Sequence, residues 1–192
     1  KLIRNHGEKI IDKKDIDKNI IGYNFRLGEI EAAIGIEQLK KLKKIVKKKQ
    51  KTAKILFNGL KNLKGLNLPE IEKNFTHSYY VFAMRLNTNI IKTKTSEIKK
   101  FLFKKGISIS NKYQNLHLLP TFQNKIAYDK DFPWLLNKRK INYKKGICPN
   151  AEYLHDKSFI GLNLCNFEYS DQDLKYIIEC FKSIWEQKIS FN

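Results

Sequence analysis

Two groups of residues in this 192-residue chain have types and spacing that can do chemistry. The first is Gly22-Tyr23-Asn24-Phe25-Arg26, directly ahead of a long helical pattern. An amide and a guanidinium at a helix start can hold an anion, because unpaired N–H groups and the helix dipole favour negative charge there. On spacing alone the plainer reading stands beside it, with Asn24 capping a turn and Arg26 an ordinary surface charge. The second group is Tyr113 with His117 and Pro120, within an irregular stretch over 111–147. A Tyr and a His on a loop can hydrogen-bond a polar ligand, or both can pack against the loop's own aromatics. The remaining scan is negative. His6, His77, His117 and His155 show no metal-ligand spacing, the nine glycines form no phosphate loop, and no GxSxG occurs. Cys148, Cys165 and Cys180 stand far apart without a CxxC pair, which suits a reducing cytosol.

These groups need elements to position them. Residues 1–26 read as strand ends and loops. From Leu27 through Ile30, Ile34, Leu39, Leu42, Ile45, Ala53, Leu56 and Leu60, apolar residues recur mostly at three- and four-residue steps. That spacing predicts one long helix with a single buried stripe. Eleven lysines and no acidic residue lie between Glu37 and Glu70, on its polar face. His77 to Leu86 reads as a strand. Thr95-Ser96-Glu97 offers an N-cap to a short helix that Gly106 closes in a left-handed turn. Ile107 to Ile109 reads as a strand, Pro149 to His155 as a helix, and Phe159 to Leu164 as a strand. Ser170-Asp171-Gln172-Asp173 resembles a capping box ahead of a helix carrying Leu174, Ile177, Phe181, Ile184 and Trp185 on one face. The stretch from residue 58 onward is a small α/β unit led into by the long helix.

Composition narrows the function classes. No apolar run approaches the roughly 20 residues a membrane helix needs, and no signal peptide is visible. The net charge is +19, but 34 of the 38 basic residues are lysine. Nucleic-acid readers lean on arginine for bidentate contacts. A solvated lysine surface in a chain of skewed composition therefore explains the charge better than a nucleic-acid site. The chain opens at Lys1, without Met, and reads as a piece of something longer.

Arg4-Asn5-His6-Gly7, followed by the run from Gly22-Tyr23-Asn24-Phe25-Arg26 to Glu37-Gln38-Leu39, resembles the DegT/DnrJ/StrS-type aminotransferases. Three later blocks continue the resemblance in the right order: His77 to Leu86, Gly106-Ile107 with Tyr113 and Leu116-His117, and Cys148-Pro149-Asn150-Ala151-Glu152. The likeness implies the C-terminal part of a fold-type-I pyridoxal-phosphate enzyme. Residues 1–57 would be the end of the large domain and the connecting helix, and 58–192 the small α/β domain. It implies a cytoplasmic homodimer acting on a nucleotide-linked keto sugar, with glutamate as amino donor and pyridoxal 5'-phosphate as cofactor. Asn24 would reach the cofactor phosphate across the subunit boundary, and Arg26 would meet that phosphate or the substrate's diphosphate. Tyr23, Tyr113, His117 and His6 would stand on the substrate side. The lysine that holds the cofactor lies ahead of this stretch in the family, so the chain is expected to be inactive alone. Relatives with His at that position act as dehydratases, and a truncated non-catalytic module is the alternative from another class.

Overall fold

The computed structural model describes residues 23–110, 114–127, 132–139 and 141–192. The Arg4–Gly7 block, with His6, and Tyr113 lie outside the described residues. The chain divides into two compact units, Lys1–Ile45 and Val46–Asn192.

Helix α1 runs from Glu29 to Leu60, as the apolar period dictates. The expected continuous buried stripe is not what forms. Ala53, Leu56 and Leu60 are buried, whereas Leu27, Ile30, Ile34, Leu39, Leu42 and Ile45 are exposed, Ile34 at 57%. Length is the reason. A helix of 32 residues extends about 48 Å at 1.5 Å per residue. The longest strand it packs against has six residues, about 20 Å, so only the last turns find apolar neighbours within the second unit.

That unit is built on a four-stranded sheet in the order β1-β2-β4-β3, antiparallel throughout. The strands are β1 (Leu66–Asn67), β2 (Val81–Leu86), β3 (Ile109–Ser110) and β4 (Phe159–Asn163). In β2 the alternation of Phe82, Met84 and Leu86 with exposed Ala83 and Arg85 assigns one face to the core. Phe82 pairs with Leu162 and Met84 with Ile160, which completes that face. The end of α1, α2 (Thr95–Lys104) and α5 (Asp171–Gln187) cover it in one apolar cluster.

Several terminators follow the sequence expectation. Ser170 and Asp173 form a reciprocal capping box at α5, with Asp173 N–H donating to Ser170 Oγ at 3.1 Å and Ser170 N–H to Asp173 Oδ2 at 2.8 Å. Gly106, at φ +75°, follows α2 in the left-handed region. One expectation changes. Thr95 does not cap α2, because its hydroxyl bonds the Lys157 carbonyl and ties α2 to the segment before β4. Expected strand His77–Leu86 shortens to β2. Two short helices, α3 (Pro120–Gln123) and α4 (Pro149–Tyr153), occur along with 3-10 turns at Leu116–Leu118 and Trp134–Leu136. Helix α4 is continued by a π-helical turn over Leu154–Ser158. Gly59 sits where α1 meets α5, and a Cβ there would fall 2.7 Å from Ile178 Cγ1.

Candidate functional site

In the first unit, Asn24 Oδ1 accepts from the Arg26 backbone N–H at 3.3 Å and from its Nε–H at 3.0 Å. The short amide side chain thus closes a local turn and fixes the guanidinium plane beside it. With its oxygen so engaged, the other polar group of the Asn24 side chain is its amide nitrogen, a pure donor. Tyr23 and Phe25 flank the pair with ring centroids 5.4 Å apart, both rings exposed. Glu31 folds its carboxylate back toward Gly28 at the helix start. An anion here would therefore rely on the Asn24 amide and the Arg26 guanidinium more than on α1's own N–H groups. This donor set, one amide and one planar cation, matches phosphate oxygens.

The second unit contains a buried polar cluster. His117 lies in a 3-10 turn over Leu116–Leu118 and is 8% exposed. Its Nε2 is 2.9 Å from Glu152 Oε1. The same carboxylate accepts from the Gly146 N–H at 2.7 and 2.9 Å and from the Cys148 N–H at 3.3 Å. Burial raises the Glu152 pKa, but these donors outweigh it and hold the carboxyl below its ordinary value. Gln123 Nε2 donates to the His117 carbonyl and the Tyr143 carbonyl, each at 2.6 Å. Phe122, Trp134 and Tyr143 pack beside it, with Trp134 Nε1 donating to Tyr143 Oη at 3.0 Å. The loop around His117 is therefore pinned at several points to the start of α4.

Beside this loop a groove of about 1110 Å³ opens between α2, β3 and the π-helical turn, with Gln114 and Asn115 on its wall. Asp156 bonds His155 Nδ1 at 2.9 Å and Lys145 Nζ at 2.7 Å there. Bonds from these two groups bring its carboxyl down to about 2. Among the described residues no cluster of three metal-ligating side chains exists, and no helix is long and apolar enough to cross a membrane.

Of the residues expected at a site, Tyr23, Asn24 and Arg26 come together in the first unit, as their adjacency requires. His117 is described in the second, held by Glu152. In the sequence Glu152 stands only as the last residue of the Cys148-Pro149-Asn150-Ala151-Glu152 block, with no task of its own. The available signal was local: an acidic residue in a first helical turn, six positions after a glycine.

The sequence pattern described as the DegT/DnrJ/EryC1/StrS aminotransferase family matches residues 1–156. The chain is 29% identical over 163 residues to an uncharacterized protein of Methanocaldococcus jannaschii, covering 85% of this chain and 38% of that protein. It is 26% identical over 192 residues to the UDP-4-amino-4,6-dideoxy-N-acetyl-beta-L-altrosamine transaminase of Campylobacter jejuni, covering 97% and 44%. The solved aminotransferase of Psychrobacter cryohalolentis superposes with a TM-score of 0.71 at 17% identity, over 96% of this chain and 47% of that one. The chain thus spans less than half the length of the proteins it matches. With the pattern covering most of its residues and the fold shared, the chain belongs to the DegT/DnrJ/EryC1/StrS aminotransferase family, whose members depend on pyridoxal 5'-phosphate.

Proposed function

We propose that this chain is the C-terminal part of an aminotransferase that moves an amino group, from a donor such as glutamate, onto a nucleotide-linked keto sugar. The observation that carries the reading is the Asn24–Arg26 pair, whose 3.0 Å side-chain bond fixes a phosphate-shaped donor set. In this reading Asn24 Nδ2 and the Arg26 guanidinium hold the cofactor phosphate of the neighbouring subunit in a homodimer. When bound, the cofactor supplies the electron sink that amino transfer needs. Tyr23, Tyr113, His117 and His6 stand on the substrate side, and Glu152 orients His117. Residues 1–57 end the large domain and connect it, and 58–192 form the small domain.

The exposed apolar stripe of α1 from Ile30 to Ile45 supports a large partner surface, since contiguous exposed apolar area marks an interaction face. A cytoplasmic location goes with the chemistry of such substrates.

The test is cofactor affinity in the complete enzyme. Asn24→Ala and Arg26→Ala are each expected to weaken pyridoxal-phosphate binding about tenfold, one lost charge-assisted bond's worth. Absorbance titration reads it. Unchanged affinity in both variants would overturn the assignment. A panel of nucleotide keto sugars then identifies the substrate.

A further inference from the structure

The groove beside β3 has three features that no part of the aminotransferase reading uses. The first is charge. Lys99 and Lys100 stand on its α2 wall, and Lys99 is half-buried. Among the described residues no carboxylate pairs with either one. Desolvation alone acts on the Lys99 ammonium and lowers its pKa. An ammonium taken partly out of water without a counter-charge is stabilised by an anion placed next to it. The groove's own acid does not fill that place, because Asp156 is already held by His155 and Lys145.

The second is a stacking surface. Phe103 lies on the same wall, one helical turn from Lys99 and Lys100, and is 75% exposed. Ile109 and Leu154 extend the apolar area across the groove. A ring left in water at the mouth of a cavity offers a face to a planar or apolar body. The third is the opposite wall. Leu154, His155 and Asp156 belong to the π-helical turn, a distortion that keeps one extra residue in a helix and recurs at ligand sites. Here that turn continues α4 and brings Leu154, His155 and Asp156 to the groove wall.

We propose that this groove binds an organic phosphate, a phosphate ester whose anionic end meets Lys99 and Lys100 and whose carbon body lies on Phe103, Ile109 and Leu154. The volume, about 1110 Å³, admits a molecule of nucleotide size. The chain's charge of +19 raises the local concentration of such anions. The site lies wholly within Val46–Asn192 and asks only for binding, so it stands or falls apart from the aminotransferase reading.

Titration of the full 192-residue chain with inorganic phosphate, uridine 5'-monophosphate and uridine, followed by amide chemical shifts, tests it. Saturable shifts confined to α2, β3 and the π-helical turn are expected with the nucleotide, and weaker ones with phosphate. The double variant Lys99→Gln/Lys100→Gln is expected to weaken nucleotide binding about tenfold or more. Removal of a desolvated charge leaves the fold intact, which the same spectra report. Phe103→Ala is expected to weaken the nucleotide and leave phosphate unchanged. Lys54→Gln/Lys61→Gln removes the same charge from the exposed face of α1 and the turn after it. An equal loss in that pair would show that only the general lysine field acts, and the proposal would fail. It would fail equally if uridine bound as tightly as its phosphate, or if no shift saturated.

Discussion

At Glu152 one carboxylate serves three donors from two segments: the Gly146 and Cys148 N–H groups and His117 Nε2. Leaving buried donors unmade costs more than making them gains. Glu152→Ala is therefore expected to lower the melting temperature by roughly 5 °C. It should also speed amide exchange at Gly146 and Cys148, with Glu152→Gln intermediate because the amide keeps an acceptor oxygen. Exchange unchanged in the alanine variant would show that the carboxylate holds nothing. A second residue-scale prediction concerns Asp156. Bonds from His155 and then Lys145 bring its carboxyl to about 2, below the ordinary aspartate value near 4. A depressed carboxylate contributes stability that is complete above the unfolded value and is lost as pH falls through the folded one. The melting temperatures of wild type and Asp156→Asn should thus differ by a constant amount between about pH 4 and about pH 5 and converge as pH approaches about 2. A difference that persists at the acid end would rule out the ion pairs as its source.

Elements add effects that no single residue explains. Helix α1 contains two glycines in unlike surroundings: among the described residues nothing lies within 4 Å of a Cβ at Gly35, whereas Ile178 of α5 crowds one at Gly59. A glycine in a helix interior costs roughly 0.5–1 kcal/mol relative to alanine. Gly35→Ala should recover that amount and raise helix content by circular dichroism. At Gly59 the same gain meets an overpacking cost of about 1–3 kcal/mol. Gly59→Ala should therefore destabilise in chemical denaturation, by about 1 kcal/mol net. Equal signs at the two positions would mean that α5 yields to α1. Local spacing shows Gly59 only as a poor helix former near the end of the periodic stretch. Its reason is the crossing of an element 119 positions away, and no local spacing reports that.

The whole molecule sets which apolar residues count as core. Leu56 near the end of α1 and Phe82 in the sheet are both fully buried in one cluster. Truncation at either should act on one cooperative transition, with Leu56→Ala costing about 2–5 kcal/mol and Phe82→Ala about 3–5 kcal/mol. Fluorescence and circular dichroism followed through the same denaturant series should give coincident midpoints. A separate transition for Leu56→Ala would detach the helix end from the core. By contrast, Leu39→Ala lies on the exposed part of the same stripe and should cost little in this chain. The sequence by itself determined what depends on neighbours a few residues apart: the period of α1, the capping box of α5, the left-handed turn at Gly106, and the blocks that mark the family. Local hydrogen bonds and side-chain spacing decide those. Only the tertiary structure decided which turns of α1 are buried, because that depends on how far a small sheet reaches along a long helix. It alone joined His117 to Glu152 and set Lys99 in a groove facing the π-helical turn, because those meetings need the chain to close loops of tens of residues around a shared core.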